Sequence, residues 1–160
     1  MKRLLQTMVV GLGLIGGPAL ADDAPLRIVY VTHSDTGNAF WLTVKKGMDD
    51  ACTLLKADCQ MLFVSKAGDV QGQIANIQAA IAQNPDMIIT SIIDNKAYDE
   101  VVEQAIDAGI PVIASNVDDL EGAKGNARLA FVGQDFMLAG EALGRAIATK
   151  FPESGPVKVL

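Results

Sequence analysis

His33-Ser34-Asp35-Thr36-Gly37-Asn38-Ala39-Phe40-Trp41 gathers an imidazole, hydroxyls, a carboxylate, a carboxamide and two aromatic rings into one short stretch. Four smaller groups of similar chemistry follow: Ser65-Lys66-Ala67-Gly68-Asp69, Ser91 with Ile92-Ile93-Asp94-Asn95, Ser115-Asn116-Val117-Asp118-Asp119, and Gly133-Gln134-Asp135. This mixture suits a hydroxyl-rich ligand. It offers donors and acceptors for each OH, and a flat apolar face for the C–H side of a sugar ring. No arginine occurs in these groups, which disfavours an anionic ligand.

Covalent chemistry has weaker support. His33 is adjacent to Ser34 in sequence, but a nucleophile and its base must meet in hydrogen-bonding geometry with a third group to orient them. Asp118, Asp119 and Glu121 are hard-cation ligands by type, yet acids clustered in a loop are ordinarily just solvated. One histidine and two cysteines fall short of a zinc set. Neither G-x-x-x-x-G-K-[ST] nor H-E-x-x-H occurs. No enzymatic activity, metal or cofactor is expected.

The polar groups each follow a short apolar run. Leu26 to Thr32, Gln60 to Val64, Met87 to Ser91, Ile110 to Ala114 and Leu129 to Val132 read as strands. Between them lie helical patterns. Trp41, Val44, Met48, Ala51 and Leu55 recur at three- and four-residue steps from Asn38 to Lys56. Asp69 caps a second helix carrying Val70, Ile74, Ile77 and Ile81, stopped by Asn84-Pro85. A third carries Val101, Val102, Ala105 and Ile106 and ends at Gly109. A fourth runs from Phe136 to Phe151, and a sixth strand is expected from Val157 to Leu160. Strand–helix alternation predicts a doubly wound α/β domain: a parallel sheet covered on both faces, with ligands at the carboxyl ends of its strands.

The candidate ligand-binding residues are His33, Asn38, Phe40, Trp41, Ser91, Asn116 and Asp118. Each also has a structural reading. Asn38 stands at the N-cap of the first helix. Trp41 falls on that helix's apolar stripe, so core packing and ligand stacking are both open. Phe40 lies off the stripe's centre, which favours the ligand. Asn116 directly follows a buried strand and is the stronger binding candidate. Ser91 is similarly placed but small enough to serve the backbone alone. Asp118 suits a turn. His33 suits a polar loop better than a catalytic role.

The N-terminus reads as a secretory leader. Lys2 and Arg3 precede an uncharged run, Leu4 to Leu20, that closes on Ala19-Leu20-Ala21. A G-x-G-x-x-G match, Gly11 to Gly16, falls inside this segment and lacks the strand–turn–helix setting of a dinucleotide site. Removing Met1 to Ala21 takes the formal charge from −6 to −8. An acidic chain without Lys/Arg clusters is not a nucleic-acid binder. Cys52 and Cys59 leave two readings open in an oxidising compartment. They form a disulfide if the helix ends near Lys56 and turns back; otherwise they are two buried thiols.

From Leu26 onward the chain resembles the ribose-type periplasmic sugar-binding proteins of ABC transporters. The resemblance is carried by Ile28-Val29-Tyr30-Val31 followed by Asn38-Ala39-Phe40-Trp41, and by Lys46-Gly47. It continues through Pro85-Asp86-Met87-Ile88-Ile89, Ala108-Gly109-Ile110-Pro111-Val112-Ile113, and Phe131-Val132-Gly133-Gln134-Asp135 with Ala139-Gly140. The motifs are individually weak, and their order and spacing are specific. The resemblance implies two α/β lobes with a ligand in the cleft, and a membrane permease as partner in the periplasm. It places Asn38, Phe40, Trp41 and Ser91 at ligand-contact positions. Asn116 and Val117 stand where many members carry an Asp-Arg pair, a departure that points from ribose towards another aldose, a polyol or another small polar molecule. Beyond the leader (1–21) it divides the chain into an N-terminal lobe (22–135) and the start of a second lobe (136–160), as if cut short. Rival readings are a sensing module for a chemoreceptor or sensor kinase, and a small secreted hydrolase.

Overall fold

Arg27–Val31 forms β1, and it is hydrogen-bonded on both sides. Its β-branched and aromatic residues suit a pleated surface buried on two faces. Asp58–Leu62 (β2) pairs with one edge, and Met87–Thr90 (β3) with the other. Val112–Ser115 (β4) and Ala130–Val132 (β5) extend the sheet beyond β3. All pairings are parallel, in the order β2-β1-β3-β4-β5. The winding therefore reverses between β1 and β3. The computed structural model describes residues 24–151, 154–156 and 158. The leader expected over 1–21 lies outside them, as do residues 157, 159 and 160 of the expected last strand.

Ala39–Leu55 (α1) starts at Asn38, whose side chain accepts from the Phe40 N–H. It stops at Lys56, in the left-handed conformation, whose N–H returns to the carbonyls of Cys52 and Thr53. The chain then turns back, and Cys52 and Cys59 are joined in a disulfide with Cα atoms 6.2 Å apart. Val70–Ala82 (α2) is capped by Asp69, which accepts from Gly72 N–H at 2.9 Å. A β-carbon at position 72 would press on that carboxylate, which would have to shift to keep the cap. Asp99–Asp107 (α3) and Phe136–Ala148 (α4) complete the helices.

The core lies on one face of the sheet. Val29, Val31, Ile88, Val112 and Ala114 pack there against Ile77 and Ala80 of α2 and Tyr98, Val101, Val102 and Ala105 of α3. Each fully buried Val or Ile side chain contributes about 1.5–3 kcal/mol. The other face carries Tyr30 and Cys59 under α1, held by Trp41 and the disulfide.

Three expectations are revised. β2 begins at Asp58 rather than Gln60, because the Asp58 N–H already bonds Leu26 O at 2.7 Å. β4 begins at Val112 rather than Ile110, whose N–H instead closes the end of α3 on Ala105 O. Coverage of the second face is partial: Ile89 and Ile113 are only half-buried, Val132 is exposed, and α4 buries none of its residues. The apolar stripe of α4 is helical as expected, but none of its residues is buried.

Candidate functional site

The reversal between β1 and β3 places two strand ends side by side. Parallel strands leave their carboxyl ends parting there, which opens a crevice for a ligand. Thr90 at the end of β3 donates its hydroxyl to Val31 O at 3.0 Å, fixing the two strands at this level. Just beyond, Ser91 and His33 meet. The Ser91 hydroxyl lies 2.7 Å from His33 Nδ1 and 3.2 Å from the His33 backbone N–H. Sequence separation hid this pair, and the sheet brings it together.

A second layer holds the pair. Gln73 of α2 is fully buried and points its amide into the strand end. Its Nε2 donates to Ser91 O at 2.7 Å and Thr90 Oγ1 at 3.0 Å, and lies 3.2 Å from Ser91 Oγ. Tyr98, ahead of α3, donates its hydroxyl to Gln73 Oε1 at 2.6 Å. Burial pushes the Tyr98 hydroxyl well above its ordinary pKa, and the carboxylates of Asp94 and Asp69 push the same way, so it stays a donor. Burial also lowers the pKa of His33 from its ordinary value, favouring the neutral ring.

An aromatic cluster supports the first loop. Trp41 meets His33, Phe40 and Tyr30 edge-on, with ring centroids at 5.2, 5.3 and 6.0 Å. Trp41 is only 2% exposed and fills the space beneath the loop; Phe40, at 54%, presents its ring to solvent. Of the two roles open to Trp41, its placement is that of core packing. Tyr30 donates to Ser115 Oγ at 2.9 Å, which ties this cluster to the end of β4. Asn38 uses Oδ1 to cap α1, leaving its Nδ2 hydrogens for another partner.

Asn116 follows β4 with φ of +68°, a left-handed conformation that a non-glycine residue rarely adopts. Val117 N–H closes the turn onto Ser115 O at 2.8 Å. Asp118 is turned away into an ion pair with Arg128, Nη2 to Oδ2 at 2.8 Å. Its Oδ1 lies 2.6 Å from Arg128 Nε, off the hydrogen-bond axis. The loop therefore does meet an arginine, but one neutralised by a carboxylate. A cavity of 370 Å³ adjoins this loop, lined by Val117, Asp118, Phe131, Gln134 and Phe136. A cavity of 340 Å³ lies at the amino ends of β1 and β2, by Arg27, Asp58 and Gln60, away from the crevice.

The candidates thus form two neighbouring groups: His33, Ser91, Asn38, Phe40 and Trp41, then Asn116 and Asp118. Gln73, Tyr98 and Arg128 were missed. For Gln73 a signal existed. Gln73 lies three residues after Val70 and four before Ile77, on the apolar stripe, where a polar side chain needs a buried partner. Among the described residues no three His, Cys, Asp or Glu side chains form a metal-holding group, and no helix is long and apolar enough to cross a membrane.

A parallel sheet wound outward from β1, with polar and aromatic loops at the reversal, defines a doubly wound ligand-binding lobe. The periplasmic binding protein domain family matches residues 28–160, and the chain belongs to that family. The xylose/arabinose-binding protein XylF of Sulfolobus acidocaldarius is 31% identical over 138 residues, covering 82% of this chain and 34% of the relative. A solved periplasmic sugar-binding protein of an ABC sugar transporter from Legionella pneumophila superposes with a TM-score of 0.73 at 31% identity. That match covers 78% of this chain and 45% of the other. A carbohydrate transporter from Acidothermus cellulolyticus, solved with myo-inositol, gives a TM-score of 0.71 at 29% identity, covering 79% and 43%. The chain spans between a third and a half of the length of these proteins.

Proposed function

We propose that this chain supplies the N-terminal half of a solute-binding site for a neutral sugar or polyol, captured in the periplasm for an ABC importer. The observation that carries the reading is the junction of His33 and Ser91 at the reversal of the sheet, beside the exposed ring of Phe40. Phe40 stacks on the C–H face of the ligand. His33 Nε2, Asn38 Nδ2 and the side chain of Asn116 bond its hydroxyls. Trp41 supports the loop from below, and Ser91 acts through His33. Asp118, committed to Arg128, shapes the wall of the adjoining cavity. The names of the relatives, a pentose-binding protein and an inositol complex, support this ligand class. No step of bond-making is assigned to any residue.

The division at residue 135 belongs to the same reading. We take residues 22–135 as the lobe and 136–160 as the start of a second, supported by an α4 that buries none of its residues. A leader over residues 1–21 delivers the protein to the periplasm.

The test is a thermal-shift screen against pentoses, hexoses, inositols and nucleosides. A ligand that binds only the folded state raises the melting temperature by mass action. A shift confined to one sugar or polyol class supports the reading. A cooperative melt unmoved by the whole panel rejects capture by this chain.

A further inference from the structure

Ser91 Oγ is fully buried and has three polar neighbours: Gln73 Nε2, the His33 backbone N–H and His33 Nδ1. What each of these can give or take settles where its own hydrogen goes. One end of the Gln73 amide meets the Tyr98 hydroxyl at 2.6 Å, a group that can donate or accept and so suits either orientation. The other end lies 2.7 Å from Ser91 O, a carbonyl that only accepts, so that end is Nε2. The end facing Tyr98 is then Oε1, and the Tyr98 hydroxyl donates to it. Gln73 Nε2 and the His33 N–H are therefore donors, and neither can take the Ser91 hydrogen. The one acceptor left is His33 Nδ1, at 2.7 Å. Nδ1 must carry a lone pair, and the hydrogen of a neutral ring then sits on Nε2. The ring cannot easily swing away, because Trp41 stands edge-on against it.

We propose that the chain Tyr98–Gln73–Ser91 locks His33 in its Nε2–H tautomer and so makes it a fixed hydrogen-bond donor to one acceptor oxygen of the ligand. The ligand half rests on the proposed function, and the tautomer does not. Gln73 and Tyr98 are positioning residues: they touch no ligand and act through Ser91. The group that meets Nε2 must be able to accept, as a hydroxyl, ring or carbonyl oxygen can. A ligand carrying an ammonium at that point would meet donor with donor and bind more weakly.

His33 is the chain's single histidine, so ring nitrogen NMR of the full chain reads it without ambiguity. One protonated and one bare nitrogen at neutral pH, with the hydrogen on Nε2, is the expected spectrum. Ser91→Ala and Gln73→Met should each move it towards a mixture of tautomers. Nδ1–H as the main form, or a mixture in the native chain, overturns the lock, whether or not the variants fold. The ligand half has its own readout. A sugar that raises the melting temperature should also shift the Nε2 resonance. A melt shift with Nε2 unmoved removes the donor role and leaves capture standing. No melt shift with any sugar removes the ligand half together with capture, and the native spectrum still decides the tautomer.

Discussion

Asp118 and Arg128 stand ten residues apart and meet side-on, closing the loop between β4 and β5. The Arg128 side chain is only 4% exposed and that of Asp118 18%, so each charge depends on the other for solvation. Breaking a buried pair from one side strands the remaining charge. Arg128→Met should therefore lower unfolding stability by about 3 kcal/mol. Asp118→Asn should also destabilise. Urea unfolding reads both, and an unchanged midpoint for Arg128→Met would show the pair to be dispensable.

Reducing the Cys52–Cys59 disulfide should loosen the turn from α1 into β2. The two cysteines are seven residues apart, and a loop of that size is expected to contribute about 2.5 kcal/mol by restricting the unfolded chain. Unfolding with and without reductant, against Cys52→Ser/Cys59→Ser, measures this. A reduced protein as stable as the oxidised one would contradict it.

Phe40 and Trp41 are neighbours with opposite surroundings, and their alanine variants should separate binding from folding. Trp41→Ala empties a buried site and should cost about 3–5 kcal/mol of stability. Phe40→Ala should leave stability within about 0.5 kcal/mol, as exposed positions usually do, while weakening sugar binding at least tenfold. Calorimetric titration with the sugar found by screening, beside a thermal melt of each variant, distinguishes the two.

His33 should make stability depend on acidity. Burial lowers its folded pKa beneath the ordinary 6.5, so the unfolded chain binds the proton more readily. Its contribution is complete above about pH 6.5 and falls away as pH drops through the folded value. Carboxylates titrate lower still, so the comparison is with His33→Gln. The native chain should lose stability faster than that variant between pH 7 and 5. Parallel curves would show that His33 is equally solvated in both states.

Asn116→Gly keeps the backbone turn and removes the side chain. Glycine adopts a φ of +68° freely, so stability should hold or rise by up to about 1 kcal/mol. Sugar affinity should fall all the same. Unchanged affinity would mean that Asn116 serves the turn alone.

The doubly wound order was legible because five apolar runs alternate with helical stripes. Asp69 as a helix cap and Gly109 as a stop could be read directly. β2 was misplaced by two residues because Asp58 has little strand preference; its place is fixed by the hydrogen bond to Leu26, distant in sequence. The same limit hid the buried chain from Tyr98 to His33. Gln73 and Tyr98 are 25 residues apart, and nothing local pairs them. Asn38, Phe40 and Asn116 are proposed from residue type and loop position, and their surroundings leave each a polar or aromatic group to offer. Arg128 gave no signal, because its partner lies across an aperiodic loop.

The loops at the carboxyl edge are tied to one another through the main chain: Gly68 N–H to His33 O at 2.8 Å, Ile92 N–H to Val117 O at 2.9 Å, and Asn116 N–H to Val132 O at 3.1 Å. Two of these bonds link loops from neighbouring strands and the third ties the β4 loop to β5, so each loop is braced by its neighbour. A sugar bound as proposed would meet loops whose ordering entropy was largely surrendered when the protein folded. On the proposed function, such a surface should discriminate by fit: an epimer with one hydroxyl reversed should lose affinity rather than reshape a loop.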